Sequence, residues 1–360
     1  MKNSDFIILF ECCKVVKGFK KSILYDLQRS QHRIIPNDLA DMLIKFNRKT
    51  VDDIRNYYPV EYWDTIKENL EILIEAEYIF LTKNVEAFPE LSMKWESPSY
   101  ITNAILELGD YLNSPQAVWG QLEKLGCEHI EFRSYTPIDI TFLKRLIEST
   151  LEARILSIDL IIPYSEEVFE DVNNLFWEHP RLSKIVFHSS SKDKIVEEVN
   201  SRMLMLTQAV IDSNSHCGKI CISNFVVNVS SYTENQSFNS CLNGKLSIDK
   251  NGNIMNCLSM KKIYANINEV DLVELVRTSK FQKLWTVNKD NIKVCKDCEY
   301  RYMCHDCRAY LDDPSDIYSK PLKCGYNPYT GEWNQWSENP AKRNAIEFYG
   351  LQELVSVIPN

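Results

Sequence analysis

A chain of 360 residues is long enough for two or three domains, and 44% hydrophobic with 25% charged residues is a globular composition. A net charge of −9, spread along the chain, argues against general nucleic-acid binding, which needs a basic face. No run approaches the ~20 apolar residues of a membrane span, and residues 1–18 do not resemble a signal peptide. We therefore expect a cytoplasmic protein without nucleic-acid or membrane partners, in which clustered cysteines indicate metal binding or catalysis.

The first 90 residues read as two strands, three helices and a final strand. Apolar β-like runs at 5–16 and 21–28 flank a predicted turn at Lys17–Lys20. Apolar residues at helical spacing then indicate helices, and residues 78–81 return to a β-like pattern.

Two helix starts are predicted from their sequences. Asn37 or Asp38, just after Pro36, is expected to cap the first helix. The spacing of Thr50 and Asp53 predicts a capping box at the second.

This order of elements resembles the winged-helix leader-binding domain, or recognition element, of systems that modify ribosomally made peptides. The alternative is any winged helix, including a DNA-binding one, but the acidic helices disfavour DNA. The resemblance implies that a leader peptide adds a strand beside residues 21–27, against the helix at 62–77.

From Met93 to about Phe187, strand and helix patterns alternate. Such βαβ units predict a parallel sheet covered by helices. Four predicted strands amount to half of an eight-stranded barrel. Gly126 is expected to end the first of these helices. The predicted strands cover residues 101–108, 127–135, 154–164 and 182–190.

Most of the cysteines lie in the last third of the chain. Two of them flank a predicted β-hairpin with a turn at Asp249–Gly252, and four form two Cys-x2-Cys pairs that suit chelation. The cysteines beyond residue 215 are Cys217, Cys221, Cys241, Cys257, Cys295, Cys298, Cys304, Cys307 and Cys324.

Thiolates favour zinc or iron–sulfur clusters. A zinc ribbon built from the two Cys-x2-Cys pairs is the simplest interpretation. Only five residues separate the pairs, however, where about 15–20 are usual in that motif. A single ribbon would also leave Cys241, Cys257 and Cys324 without a role.

The remaining cysteines are interpreted as structural. Cys12 and Cys13 lie in a β-like stretch, where adjacent side chains point to opposite faces, and at least one of them is expected to be a buried small hydrophobe. Cys127 leads a strand and is expected in the core.

The cysteine spacing from Cys241 to Cys324, with Gly252 inside the hairpin, resembles the seven-cysteine SPASM domain. That domain usually carries two auxiliary [4Fe–4S] clusters at the end of peptide-modifying radical S-adenosylmethionine enzymes. One spacing departs from the family, since two residues separate Cys304 and Cys307 where three are commoner.

The resemblance implies two ligand sets. The first comprises Cys241, Cys257 and Cys307, and the second comprises Cys295, Cys298, Cys304 and Cys324. The first set lacks the fourth cysteine that the full pattern often has near residue 235. Cys217 is placed among the metal ligands to complete it, although Cys221 or His216 could also do so, or one iron could be open.

No Cys-x3-Cys-x2-Cys motif occurs in the 360 residues, so the chain lacks the thiolates that hold the cofactor-cleaving cluster of radical enzymes. S-adenosylmethionine is therefore not expected, and no catalytic residue is assigned. The motifs GxSxG, GxxxxGK[ST], HExxH and GxGxxG are also absent.

Taken together, the chain resembles the SPASM-domain peptide maturase of grasp-with-spasm systems, carried by residues 239–257 and 320–333. The implied partners are a precursor peptide and an ATP-grasp ligase that forms side-chain ester or amide links. The implied α/β fold has a winged-helix-like domain at 1–90, a degenerate partial radical-enzyme barrel at 91–230 and a SPASM domain at 231–360.

Three functions remain open at this stage. The chain is a non-catalytic accessory protein for peptide maturation, an iron–sulfur enzyme acting on the peptide through an open cluster, or a zinc-stabilised protein-binding module.

Overall fold

The computed structural model describes residues 2–357 and shows a mixed α/β protein with one large central sheet. The N-terminal part contains two three-stranded antiparallel sheets, in the orders β5-β1-β6 and β2-β3-β4. Its elements are β1 (Phe6–Leu9), β2 (Cys13–Lys17), β3 (Ser22–Asp26), β4 (Gln31–Ile35), α1 (Asn37–Phe46), β5 (Lys49–Thr50), α2 (Val51–Tyr57), α3 (Trp63–Glu75) and β6 (Ile79–Thr82).

The two helix-start predictions have different outcomes. At α2 the capping box is confirmed: the Asp53 N–H donates to Thr50 Oγ1 at 3.1 Å, and the Thr50 N–H donates to Asp53 Oδ2 at 2.8 Å. At α1 the predicted side-chain cap is wrong, because Pro36 occupies the cap position. The Asn37 side chain instead accepts from Ser22 Oγ at 2.6 Å and donates to the Phe19 carbonyl at 3.0 Å.

The expectation of an added peptide strand beside residues 21–27 is also wrong. β3 is the central strand of its sheet, paired with β2 on one side and β4 on the other. Both of its backbone edges are therefore occupied. The free edges of the two small sheets belong to other strands.

The middle of the chain forms the predicted alternation of strands and helices. The elements are β7 (Asn103–Glu107), α4 (Gln116–Lys124), β8 (His129–Arg133), α5 (Ile140–Ser149), β9 (Ser157–Pro163), α6 (Glu166–Glu178), β10 (Leu182–His188), β11 (Lys194–Val199) and β12 (Arg202–Leu206). β7 to β10 pair in parallel, as predicted. Gly126 follows α4 with φ +78° and ends the helix as expected.

The C-terminal part is rich in loops. Its elements are α7 (Val229–Ser237), β13 (Lys245–Ile248), β14 (Asn253–Met255), β15 (Ala265–Asn266), α8 (Leu272–Val276), α9 (Ser279–Gln282), β16 (Tyr326–Asn327), β17 (Glu332–Trp333), α10 (Arg343–Phe348) and α11 (Gln352–Val357). β13 and β14 form the predicted hairpin, with Gly252 at φ +82° in its turn. No helix within residues 2–357 has the length and apolar character needed to cross a bilayer.

The central sheet has nine strands in the order β11-β12-β10-β9-β8-β7-β13-β14-β15. β13 pairs in parallel with β7, so the hairpin of the cysteine-rich region continues the sheet formed by the βαβ units. β11 and β12 were not predicted. β12 pairs in parallel with β10, and β11 pairs antiparallel with β12.

The helices pack on one face of this sheet through apolar stripes. In α5, Leu143, Leu146 and Ile147 are buried, and they belong to the same core as Ile130 and Ile158 on the strands. The Asp139 carboxylate caps this helix, accepting from the Thr141 N–H at 2.7 Å. The core therefore fixes the position of β7, the strand with which the cysteine hairpin pairs.

Candidate metal centres

The first group of thiols gathers at the hairpin. We call Cys217, Cys241, Cys257 and Cys307 set I. Burial, followed by the neighbouring thiols of Cys241 and Cys217, raises the pKa of Cys257 to about 11. The pKa of Cys307 is raised by burial and then by the other three thiols. All four thiols therefore lie near one another.

Cys217 joins the three cysteines that the sequence had grouped. The backbone confirms this placement, because a Cβ on Gly218 would lie 2.7 Å from Cys307 Sγ. Cys221, by contrast, pairs its thiol with Ser223 Oγ at 3.2 Å. His216 pairs with Asp212, with Nε2 3.3 Å from Oδ1.

Set I is assembled from distant segments. Cys241 lies between α7 and β13, and Cys257 lies two residues after the end of β14, so the hairpin brings the two together. The Cys241 N–H donates to Asn239 Oδ1 at 3.1 Å, which fixes the loop before the hairpin. Cys217 and Cys307 lie in two other loops, one before the hairpin in the chain and one after it.

The second group, set II, comprises Cys295, Cys298, Cys304 and Cys324, which line one cavity. The pKa of Cys304 is raised to about 12, mainly by burial, with nearby Lys289 opposing the rise and Cys324 adding to it. The structure therefore brings the eight cysteines together as two sets of four.

The thiol spacing fits a cluster better than a single ion. Four thiolates at about 2.3 Å from one zinc ion lie about 3.8 Å apart in tetrahedral geometry. Within residues 2–357, one group of three possible metal ligands has all of its donor atoms within 4.8 Å of one another. It consists of Cys12, Cys13 and Asp26. No three thiols of set I or set II are that close. A [4Fe–4S] cluster places its irons between the thiolates and so suits wider spacing.

A buried polar network, missed from the sequence, lies between the two sets. The Lys289 ammonium is 1% exposed and donates to Asn235 Oδ1 at 2.6 Å. Burial raises the pKa of both Cys241 and Cys304, and the positive charge of Lys289 opposes that rise in each, so Lys289 lies near thiols of both sets. The sequence could have indicated only those partners of the network that lie close together along the chain.

A second group of buried polar residues lies at the Cys304–Cys307 pair. Asp306 and Arg308 form a fully buried ion pair at 2.5 Å, and Asn239 Nδ2 donates to Asp306 Oδ2 at 2.6 Å. Because Asn239 also holds the Cys241 loop, this network ties the loops of both sets together.

The turn between β2 and β3 packs against the loop of set II. The Phe19 N–H donates to the Asp297 carbonyl at 2.8 Å, and Arg301 Nη1 donates to the Lys17 carbonyl at 2.6 Å. Tyr25 OH donates to the Glu299 carbonyl at 2.9 Å. The N-terminal region is thus attached at the residues next to Cys298.

The other cysteines are partly as predicted. Cys13 and Cys127 are each 1% exposed, and the core prediction is confirmed for both. The expectation that Cys12 and Cys13 face opposite ways is wrong, since their donor atoms lie together with a carboxylate oxygen of Asp26. The reason is a turn, in which the Cys13 N–H donates to the Phe10 carbonyl at 2.7 Å, in place of a continuous strand.

Comparison with known proteins gives one family match and a loose structural likeness. Three solved structures of SuiB from Streptococcus suis are similar over most of the chain. The form bound to S-adenosylmethionine is 10% identical, with a TM-score of 0.33, and covers 88% of this chain and 99% of that one. The form bound to its precursor peptide SuiA is 9% identical, with a TM-score of 0.27, and covers 88% and 98%.

A search of curated proteins finds no match. The family model that matches is SPASM, an iron–sulfur cluster-binding domain, over residues 240–299. This segment contains the hairpin and the first Cys-x2-Cys pair, which contribute cysteines to both sets. Residues 240–299 therefore match the SPASM domain, a domain that binds iron–sulfur clusters.

Proposed function

We propose that this chain is an accessory maturation protein for a ribosomally made peptide. It holds two [4Fe–4S] clusters, binds the leader of the precursor through residues 1–90, and works with an ATP-grasp ligase that forms side-chain ester or amide links. The observation that carries the proposal is the convergence of eight cysteines in two sets of four, around a segment that matches SPASM.

Both clusters are proposed to be structural. A cubane has four irons, and four thiolates occupy one position on each. Set I reaches four with Cys217, whose thiol lies with Cys241, Cys257 and Cys307. The alternative, an enzyme with an open iron at set I, was motivated by a missing fourth ligand, and the position of Cys217 removes that motive.

The end of β7 supports the same choice. In radical enzymes of this kind the loop after the first barrel strand carries the three cluster cysteines, whereas residues 108–115 contain none. The space is used otherwise: Tyr111 OH donates to the Glu107 carbonyl at 3.0 Å. We propose that this chain does not cleave S-adenosylmethionine.

For the leader peptide we propose an apolar groove beside β6. Phe10, Phe80 and Phe88 contact one another in series through tilted and edge-on rings, with centroids 4.8 and 4.7 Å apart, and line the groove with Leu91. β6 is an end strand of its sheet, so its outer edge can pair with an extended peptide. Alternate peptide side chains would then enter the groove.

Metal analysis tests the cluster part of the proposal. Anaerobically purified protein should contain about eight irons and eight sulfides per chain and absorb broadly at roughly 400 nm. A colourless protein with stoichiometric zinc and no sulfide would overturn it.

Precursor mass spectrometry tests the accessory role. A candidate precursor peptide and ATP-grasp ligase are incubated with and without this chain, and crosslinking is read as loss of water. We expect crosslinking that depends on both proteins and falls with Phe88→Ala, but not with the exposed Phe348→Ala. A mass change produced by this chain and precursor alone would favour the enzyme alternative.

A further inference from the structure

Three potential metal ligands converge in the N-terminal region, far along the chain from sets I and II. The donor atoms of Cys12, Cys13 and Asp26 all lie within 4.8 Å of one another. Cys13 and Asp26 are each 1% exposed, whereas Cys12 is half-buried. The group is thus closed on one side and open to solvent at Cys12.

Backbone geometry holds these residues together. Cys13 on β2 is directly opposite Asp26 on β3 in the antiparallel pair. Cys12 precedes the strand within a turn, and the Leu27 N–H donates to its carbonyl at 2.9 Å. The two thiols and the carboxylate are therefore placed by hydrogen-bonded backbone on both strands.

Hydrogen bonds from neighbouring residues fix the orientation of the Asp26 carboxylate. Asp26 Oδ1 accepts from the Gln28 and Arg29 N–H groups at 3.1 and 2.9 Å, and Oδ2 accepts from Arg29 Nε. Arg29 in turn donates to the Ala76 and Glu77 carbonyls at 3.1 and 2.9 Å, just beyond α3. Carboxylates that bind metals are commonly held by such hydrogen bonds.

We propose that Cys12, Cys13 and Asp26 bind one zinc ion, with a water molecule as the fourth ligand. Two thiolates and one carboxylate suit a borderline-soft divalent ion that prefers four-coordinate geometry. Three protein ligands and an open position on the solvent side match the half-buried state of Cys12.

The charges of the site balance when zinc is bound. Two thiolates and a carboxylate carry −3, zinc carries +2, and the Arg29 guanidinium on Asp26 carries +1. Burying a net-neutral group costs far less than burying uncompensated charge. Binding releases one proton from each thiol to the solvent.

Zinc at this position would join two parts of the N-terminal region. It would bridge the β1–β2 turn and the end of β3, and Arg29 would carry the connection to the end of α3. This role is independent of the proposed peptide maturation and of the iron–sulfur clusters.

The test uses the full chain with its clusters loaded anaerobically. One equivalent of zinc sulfate is added, excess is removed, and zinc is quantified and examined by X-ray absorption at the zinc edge, where iron does not contribute. We expect one zinc per chain with two sulfur and two lighter neighbours. Cys12→Ser and Asp26→Asn should weaken zinc binding at least ~10-fold, while Cys127→Ser, a buried lone thiol, should leave it unchanged.

Thermal unfolding guards against variants that fail to fold. Zinc should raise the Tm of the parent chain and of Cys127→Ser but not of Cys12→Ser. Zinc surrounded by four sulfurs, or retained in a Cys12→Ser/Cys13→Ser double variant, would place the ion elsewhere and overturn the proposal. So would a Cys12–Cys13 disulfide, detected as a mass lower by two hydrogens with no zinc bound.

Discussion

At the residue scale, the Cys217 thiol distinguishes the two functions considered for set I. With Cys217, set I has one thiolate for each of the four irons of a cubane. Without Cys217, one iron has no thiolate and is exposed to substrate. Two chemically similar candidates stand four residues apart, but Cys217 faces set I and Cys221 pairs with Ser223. They form a matched pair for mutation.

We predict that Cys217→Ala lowers iron from about eight towards about four per chain, or leaves a three-iron form of the first cluster. Cys221→Ala should retain full iron. Iron and sulfide analysis with electron paramagnetic resonance measures both. Loss of iron in Cys221→Ala alone would mean that Cys217 is not a ligand.

Lys289 offers a second residue-scale prediction. Its buried ammonium lies near thiols of both sets, so Lys289→Met removes a positive charge that offsets anionic clusters. Loss of this charge favours the oxidised cluster, and the reduction potential should become more negative. The free energy of unfolding should fall by about 1–3 kcal/mol, the typical cost of losing a buried charged hydrogen bond.

Potentiometric titration and urea unfolding measure these two effects. Lys296→Met is the matched control, since Lys296 is exposed in the loop between Cys295 and Cys298. If both variants shift the reduction potential equally, the shift comes from the net charge of the protein, and the buried position of Lys289 between the two sets has no effect of its own.

At the element scale, the β2–β3 turn connects the N-terminal region to the SPASM loop through close backbone contact. A Cβ on Gly18 would lie 2.6 Å from the Lys21 carbonyl oxygen and 2.8 Å from the Glu299 nitrogen. Any larger residue must therefore move the turn or the loop that follows Cys298.

We predict that Gly18→Val detaches this contact. Hydrogen exchange should increase at residues 17–21 and 297–301 together, because the Phe19 N–H loses its acceptor at Asp297. Gly120→Ala is the control, as no atom lies within 4 Å of its added Cβ. Increased exchange at 17–21 alone would show that the two segments are not coupled.

The sequence predicts local elements well and long-range pairing poorly. The alternation of β7 to β10 and the β13–β14 hairpin follow from apolar periodicity and turn residues. The pairing of β13 with β7 joins segments more than 130 residues apart, and nothing local encodes it. The β11–β12 hairpin was missed because Asn200 and Ser201, both at positive φ, form its turn without the usual glycine.

The same division applies to the candidate sites. Spacing and family resemblance grouped most of the cysteines, because Cys-x2-Cys pairs and the hairpin are local features. Cys217 and Lys289 come from loops whose positions depend on tertiary packing, so spacing alone could not select them over Cys221 or another lysine. The Cys12 and Cys13 error has a local cause, since a turn replaced the expected strand.

At the scale of the whole molecule, stability is divided between two kinds of structure. The central sheet and its helices have an extensive apolar core. Residues 283–325, which carry five of the eight cysteines, contain only short 3-10 turns between α9 and β16. For this region we expect the free energy of cluster binding to supply much of the free energy of folding, as it does in small metal domains.

We therefore predict that anaerobic removal of iron with a chelator unfolds the loops before the sheet. Hydrogen exchange should increase first in residues 283–325 and in the attached 17–21 turn, while β8 and β9 keep their protection. Oxidant-free incubation without chelator is the control. Simultaneous loss of protection in the sheet and the loops would mean that the clusters support the entire fold, since β13 joins the hairpin of set I to β7.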